Sequence, residues 1–360
     1  MTVNNRQAAL LLFCIVPASK FLLLPALYAG DAAQDVWLAG LINFLADGAL
    51  LAVVIGIIKK YPGKSLFDVL SDTLGRGGAK TVYALYAVFF FIYALVPLFE
   101  HKKFIEITLY ETTPSVITFL PAFFVIFYLC LKGVKIMART AEFMFRLIVA
   151  ALAAAVFMSA FSFNPFYLLP IARNPLNLTL KASYGGMLWY GQPLAILFLA
   201  GGIKGEKGKL KGLILSFAAA SLICVVVFAF FTGIFGDLAP RKTYALPKMM
   251  KYAVVLSNMI RFDYLAVLLL VAASVLSLSV PSVLATECVE KLVGGKGKWI
   301  AAVAIVGAQF AVIAALHSKT WDLISALQKY FTPAMIALAY IVPALVLFFG
   351  RKRDGEKTIS

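Results

Sequence analysis

Charged residues are scarce in this sequence, and acids are scarcer than bases. Only 14% of the residues are charged, with 17 Asp and Glu against 33 Lys and Arg. The hydrophobic fraction is 62% and the mean hydropathy is +0.92, far more apolar than a soluble domain of this length requires for its core. The composition therefore excludes a soluble globular protein and predicts a polytopic membrane protein.

Cysteine and histidine are also rare. The cysteines lie singly along the chain, at Cys14, Cys130, Cys224 and Cys288. This spacing argues against a disulfide framework and against a cysteine metal cluster. The two histidines, His101 and His317, are too far apart in the sequence to indicate a metal site. Since the sequence also contains no nucleophile–base constellation and no phosphate-binding loop, we expect no metal, no cofactor and no enzymatic activity.

The net charge of +16 could suggest a nucleic-acid partner. The basic residues, however, lie mainly in short connections between apolar runs, which is how membrane proteins set their orientation. We therefore expect the lipid bilayer, and no nucleic acid, as the surroundings of this chain.

Ten apolar runs are long enough to cross a bilayer and lack strand-like alternation. They lie at 8–28, 36–58, 81–99, 115–131, 140–161, 183–203, 212–235, 262–285, 299–316 and 331–349. The predicted fold class is an all-α integral membrane protein with ten transmembrane helices, forming a single membrane domain over 1–360.

The charges of the connections predict an orientation. The even-numbered connections are rich in Lys and Arg, whereas the first and third, 29–35 and 109–114, carry only acids. The positive-inside rule then places both termini in the cytoplasm, including the tail 350–360. The seventh connection is an exception, because it carries bases on the predicted outer side, but the rule weakens as loops lengthen.

The first apolar run is interrupted near its middle by Pro17, Ala18, Ser19 and Lys20. At about 1.5 Å per residue, Lys20 lies about 18 Å into a hydrocarbon core about 30 Å thick. A charge there costs about 2.5 kcal/mol or more unless it faces a cavity or a partner. Pro17 also removes a backbone donor, and broken backbone at this depth is tolerated only where it lines protein or a water-filled cavity. We therefore predict a ligand-binding site at 17–20.

The long, proline-containing fifth connection, 162–182, divides the spans into two sets of five, 8–161 and 183–349. Because each set has an odd number of spans, the second set enters the membrane in the opposite orientation, as in an inverted repeat. The sixth span, the counterpart of the first, is itself interrupted, by Tyr190, Gly191, Gln192 and Pro193. Two interrupted helices in corresponding positions point to a transport-type site, so Tyr190, Gly191 and Gln192 are predicted to bind the ligand.

Other polar residues of the spans allow more than one interpretation. Asp47 lies at nearly the same predicted depth as Lys20, and a pair between them would neutralise both charges. Separate water-filled environments for the two charges are the alternative. Asn43, one turn from Asp47, could join the same network. Glu100, at the outer end of the third span, is expected on a solvated helical extension at the rim of a vestibule.

An ordered set of short motifs resembles a known family. The motifs are Asn5-Arg6-Gln7, Leu24-Pro25, Tyr61-Pro62-Gly63-Lys64-Ser65, Glu111-Thr112-Thr113-Pro114, Lys132-Gly133, Ala138-Arg139-Thr140-Ala141-Glu142 and Leu168-Leu169-Pro170. Together they resemble the permease-like B subunit of GerA-type spore germinant receptors, within the amino acid–polyamine–organocation superfamily. The resemblance covers about the first two hundred residues and is only hydropathic after about residue 210.

The resemblance implies a LeuT-like fold and an amino-acid-like ligand bound between the broken first and sixth spans. It also implies the membrane of a spore-forming bacterium, with an A-type membrane subunit and a C-type lipoprotein subunit as partners. Ser274 and Ser277 lie on the span where the superfamily often coordinates a cation, although serines that ease helix packing are the alternative. The chain departs from the family at the site, with Ala18 and Lys20 in a break that is usually glycine-rich and Gln192 where a glutamate is usual.

Two functions follow. One is a receptor subunit that binds a small germinant and signals to partner subunits. The other is an ion- or proton-coupled secondary transporter for amino acids or amines, which would use the same fold and site.

Overall fold

The computed structural model describes residues 3–108, 115–203, 210–251, 262–294 and 297–350, apart from the side chains of 108, 115, 116 and 262–273. The regular structure in these ranges is helical throughout, with no strand among them. The predicted all-α class is therefore confirmed. The predicted tail lies outside the described residues beyond Gly350, and so does the motif at 111–114.

The described residues of the first half of the chain form six helices. They are α1 (Asn5–Ala18), α2 (Leu24–Ala32), α3 (Val36–Lys60), α4 (Leu66–Thr108), α5 (Ser115–Lys132) and α6 (Val134–Ala160). A short 3-10 turn, Ala33–Asp35, joins α2 to α3, and another, Pro165–Leu168, follows α6. The helix α4 is longer than its predicted span because two helices meet at Gly75, whose φ of 75° is not helical.

The second half is cut into shorter pieces. Its helices are α7 (Leu176–Gly186), α8 (Pro193–Phe198), α9 (Lys211–Phe235), α10 (Ala245–Lys251), α11 (Phe262–Val293), α12 (Lys298–Ala315), α13 (Thr320–Tyr330), α14 (Thr332–Ile336) and α15 (Val342–Phe349). Three 3-10 segments, Met187–Trp189, Ala200–Gly202 and Gly236–Arg241, follow α7, α8 and α9. A π-helical turn, Ala337–Ile341, joins α14 to α15.

Within the described ranges, six helical segments are long and apolar enough to cross a membrane unaided. They are Leu24–Lys60, Leu66–Ile107, Val134–Ala160, Lys211–Arg241, Lys298–Ala315 and Thr332–Phe349. Two further apolar helices, Asn5–Ala18 and Ile117–Lys132, are shorter. Among the residues that the structure describes, helices of this kind are thus fewer than the ten predicted spans, in part because the first and sixth spans are each split into two helices.

The two predicted breaks are present, and local chemistry explains both. The helix α1 ends just after Pro17, where the Lys20 amide bonds to Pro17 O at 3.0 Å instead of continuing the helix. Pro25 then occupies the first turn of α2, where a missing N–H costs nothing. In the sixth span, Gly191 has a φ of +89°, which favours glycine, and Pro193 begins α8.

The broken helices lie in the middle of the bundle. The helix α1 packs against α6, α9 and α11, and α2 packs against α7, so the broken spans contact each other. The buried Asp35 binds the connection at 162–182. Its carboxylate accepts hydrogen bonds from Ala172 N at 3.0 Å and from Asn174 N at 3.3 Å. The relation of 8–161 to 183–349 as inverted repeats stays a prediction.

Candidate functional site

A cavity of about 40 Å³ borders both breaks. Its walls come from α1 and the first break, from α4 and α11, and from α8 with the segment that joins α7 to α8. Most of the lining is apolar, and its polar side chains are Ser19, Tyr93, Trp189, Gln192 and Ser277. At about 10–15 Å³ for each water molecule, the space would admit a few waters or a ligand of few atoms.

The cavity receives only some of the predicted ligand-binding residues. Ser19, Gly191 and Gln192 line it. The other predicted residues, Pro17, Ala18, Lys20 and Tyr190, are buried in the protein around the breaks.

Lys20 is fully buried, and its ammonium is held by the ends of the broken helices. Its Nζ donates to Val16 O at 3.0 Å and to Gln192 Oε1 at 2.8 Å. Val16 O is one of the last carbonyls of α1 and has lost its helical amide partner, because the Lys20 N–H bonds to Pro17 O. The Nζ also lies 4.5 Å from the centroid of the Tyr190 ring and 5.6 Å from that of Phe44.

Asp47 lies on the other side of the second break and is also fully buried. Its Oδ1 accepts from Gly191 N at 2.8 Å and from the Tyr340 hydroxyl at 2.6 Å. The Oδ2 atom has no hydrogen-bond partner among the described residues. A free backbone amide produced by the break is thus bound by an internal carboxylate.

The predicted direct pair of Lys20 with Asp47 does not form. Within the described part of the chain, the hydrogen bonds of Lys20 go to Val16 and Gln192, and those of Asp47 go to Gly191 and Tyr340. The two opposite charges still attract each other at longer range. Each charge finds a closer partner in a group that the breaks themselves expose.

Gln192 connects the buried lysine to the cavity. While its Oε1 accepts from Lys20, its Nε2 donates to Trp189 O at 2.8 Å, Ser19 Oγ at 3.1 Å and the Tyr93 hydroxyl at 3.2 Å. Residues from the first break, α4 and the second break are therefore joined through one amide group.

Glu100 is an important residue that the sequence interpretation placed wrongly. It was expected at a solvated rim but is only 2% exposed. Its Oε1 accepts from Leu23 N at 2.6 Å and its Oε2 accepts from Trp189 Nε1 at 3.0 Å, so one carboxylate contacts both breaks. The C-terminal part of α4 is covered because the chain after α9 folds over it, as in the contact of Phe104 with Tyr244, whose ring centroids are 5.2 Å apart.

The remaining predicted site residues, Asn43, Ser274 and Ser277, lie close to the breaks, but the hydrogen bonds described for them go to other groups than the predicted ones. Asn43 donates to the Tyr28 hydroxyl at 2.7 Å and to Ser183 O at 2.8 Å, and not to Asp47. Ser277 lines the cavity, and its hydroxyl donates to the backbone of Ser274 at 2.9 Å. Ser274 is buried in the same helix, and the cation site suggested for these two serines stays a prediction.

Two interrupted helices that meet around buried charges in a membrane bundle define a class, the transporters and the membrane receptors built on the same plan. The chain belongs to the spore germination family, whose model, described as "Spore germination protein", matches residues 2–322. The chain is similar to Spore germination protein KB of Bacillus subtilis (strain 168), with 22% identity over 249 residues. That match covers 68% of this chain and 66% of the relative, just under two thirds of its length.

Solved structures support the fold. A mutant of the manganese transporter of Eremococcus coleocola superposes with a TM-score of 0.58 at 14% identity, covering 95% of this chain and 78% of the transporter. The same transporter in complex with an aromatic bis-isothiourea substituted compound gives 0.55 at 13% identity, covering 97% and 81%. The LeuT-like fold implied by the sequence resemblance is therefore confirmed, and the chain is a multi-pass membrane protein of permease type rather than an enzyme.

Proposed function

We propose that this chain is the membrane-embedded subunit of a germination receptor, which binds a small amino-acid-like ligand in the cavity between the two breaks. The observation that carries the proposal is the composition of the cavity wall. Ser19 belongs to the first broken span, and Gly191 and Gln192 belong to the second. A ligand in this place contacts both broken helices at once, and the family membership makes a germinant the relevant ligand.

The contacts around the cavity supply a route for a conformational signal. Trp189 and Gly191 line the cavity, and each donates a hydrogen bond to a buried acid on another helix, Glu100 of α4 and Asp47 of α3. Asp47 also accepts from Tyr340 in the π-helical turn, a type of distortion found frequently at functional sites. A ligand that displaces the second break therefore changes contacts on three other helices.

The proposed partners are an A-type membrane subunit and a C-type lipoprotein, in the cell membrane or the inner membrane of a spore. We also propose that both termini of this chain lie in the cytoplasm, as the charges of the connections predict. Genes for such subunits beside the gene for this chain would support the proposal.

A second candidate is an ion- or proton-coupled amino acid or amine transporter. It is supported by the fold, which is shared with a manganese transporter. Interrupted helices form the substrate and coupling-ion sites in transporters of this architecture.

One pair of measurements separates the two candidates. The purified full chain is titrated with L-alanine by calorimetry and is then reconstituted into liposomes for uptake of labelled L-alanine under proton and sodium gradients. The receptor proposal predicts saturable binding without concentrative uptake. Uptake driven by either gradient would establish the transporter instead.

A further inference from the structure

The orientation of the Gln192 amide follows from the chemistry of its lysine partner. An ammonium group has three donors and no acceptor, so the atom that Lys20 Nζ contacts at 2.8 Å must be the amide oxygen. The Nε2 group therefore points to Ser19, Tyr93 and Trp189. Because Lys20 is fully buried, no ligand competes for this contact, and the amide cannot turn its oxygen toward the cavity.

The hydroxyl groups that accept from Gln192 have directed their own hydrogens elsewhere. The Tyr93 hydroxyl donates to Tyr190 O at 2.7 Å. The Ser19 hydroxyl faces the carbonyls of Ile15 and Val16, at 3.5 Å from each. Both oxygens keep a spare lone pair, since a hydroxyl has two acceptor sites and the amide occupies one.

The other polar side chains of the cavity are also engaged as donors. Trp189 donates its indole N–H to Glu100, and Ser277 donates its hydroxyl to Ser274 O. All the side-chain donors that line the cavity are thus used within the protein. The side chains offer a ligand the lone pairs of three hydroxyl oxygens, from Ser19 in the first break, Tyr93 on α4 and Ser277 on α11.

From this inventory we infer that the cavity recognises its ligand by a primary ammonium group, and that a carboxylate is not required for binding. Three acceptor oxygens match the three N–H donors of an ammonium. The aromatic rings of Phe90, Tyr93 and Trp189 in the wall favour a cation over an anion. The inference rests on the proposed function and narrows its ligand from amino acids to small amines, including amines that lack a carboxylate.

Four related compounds, which carry the ammonium, the carboxylate or both, test the inference. The purified full chain is titrated by calorimetry with L-alanine, alaninamide, ethylamine and propionate. The first three carry the ammonium, and propionate carries the carboxylate alone. We expect alaninamide and ethylamine to bind within about tenfold of L-alanine, and propionate to bind at least about tenfold more weakly than ethylamine.

The opposite order separates this inference from the proposed function. Binding of L-alanine and propionate without binding of ethylamine would overturn ammonium recognition and leave an amino-acid site in place. Binding of none of the four compounds would overturn both.

A serine pair on α11 supplies a matched control. Ser277→Ala removes one hydroxyl from the cavity and is expected to weaken ethylamine binding about tenfold. Ser279→Ala removes a hydroxyl that bonds to Val275 O of the same helix away from the cavity, and should leave the affinity unchanged. Thermal melting of both variants shows that each is folded. Equal affinities in the two variants would contradict the assignment of Ser277 as an ammonium acceptor.

Discussion

Lys20 shows how a buried charge is accommodated without a direct counter-ion. Its ammonium lies against a helix-terminal carbonyl, an amide oxygen and two aromatic rings, with Asp47 farther away. Each of these groups attracts an ammonium less strongly than a carboxylate does, but all of them are already present at the breaks. The cost of burying Lys20 is therefore offset by atoms that would otherwise lack partners.

The first prediction concerns the coupling of Lys20 to Gln192. Lys20→Met leaves Val16 O and Gln192 Oε1 without their donor and should cost about 3 kcal/mol in the free energy of unfolding. In a double-mutant cycle measured by denaturation in detergent, Lys20→Met and Gln192→Met should couple by about 1 kcal/mol or more. Ser282→Ala, whose hydroxyl bonds to Gln309 of α12 and shares no partner with Lys20, serves as the control and should add to Lys20→Met independently. Additivity of the Lys20 and Gln192 losses would contradict the contact.

At the scale of single residues, the sequence identified the residues near the breaks more accurately than it identified their hydrogen-bond partners. Depth along a helix can be counted from the sequence, so Lys20 and Asp47 were identified as buried charges. The partner of a buried side chain depends on the rotation of each helix about its axis and on the position of the breaks in space. These depend on the packing of the whole bundle, so the sequence left a Lys20–Asp47 pair as one of two interpretations and did not indicate the contact with Gln192.

At the scale of helices, each break is held by acids that belong to unbroken neighbours. Glu100 of α4 binds a backbone amide of the first break and the indole of the second, and Asp47 of α3 binds a backbone amide of the second. Amides released by a break in a helix are free to bind an anionic group. Those at Leu23 and Gly191 bind internal carboxylates, so the breaks are stabilised before any ligand arrives.

The second prediction tests the role of Glu100 between the breaks. Glu100→Gln can keep one acceptor but sets an N–H₂ group against either Leu23 N or Trp189 Nε1, both of which are donors. We expect a loss of about 1–3 kcal/mol, seen as a lower melting temperature in detergent. Glu290→Gln, at a partly exposed carboxylate 3.7 Å from the partly exposed ammonium of Lys298, should change stability by less than about 0.5 kcal/mol. Equal losses of stability at the two positions would indicate that Glu100 is solvent-exposed, as the sequence predicts.

The third prediction concerns the backbone of the second break. A side chain at Gly191 is strained at a φ of +89°, and its Cβ would lie 3.0 Å from Met335 Cε. Gly191→Ala should therefore cost about 1–3 kcal/mol and weaken ligand binding at the cavity. Gly30→Ala, in helical backbone with open space around it, should be neutral or slightly stabilising. A fully stable Gly191→Ala variant with normal binding would show that the break does not need this conformation.

The positions of the breaks were predictable because their causes are local. Pro17, Pro25, Gly191 and Pro193 act on the backbone within a turn, whatever the tertiary structure. The burial of Glu100 was not predictable in this way. It depends on the segment before α10, which is more than a hundred residues away in the sequence and contacts the C-terminal part of α4 through Tyr244 and Phe104.

At the scale of the whole molecule, the charges of the connections predict an orientation that can be measured. Single cysteines at Lys132 and Arg173, both exposed, are introduced into a chain whose four buried cysteines have been replaced. The positive-inside rule predicts that an impermeant thiol reagent on intact cells labels position 173 and not position 132. The reverse pattern would invert the orientation, and labelling at both positions would require a different number of spans between them.

The central claim is that a small ligand binds in the cavity between the broken first and sixth spans, and filling that cavity tests it most directly. Ala195 lines the cavity, whereas the buried Ala200 does not. Calorimetric titration of L-alanine should show affinity lowered at least about tenfold in Ala195→Val and unchanged in Ala200→Val, with both variants folded by thermal melting. Binding that survives in Ala195→Val as in the unmodified chain would place the ligand elsewhere and contradict the account.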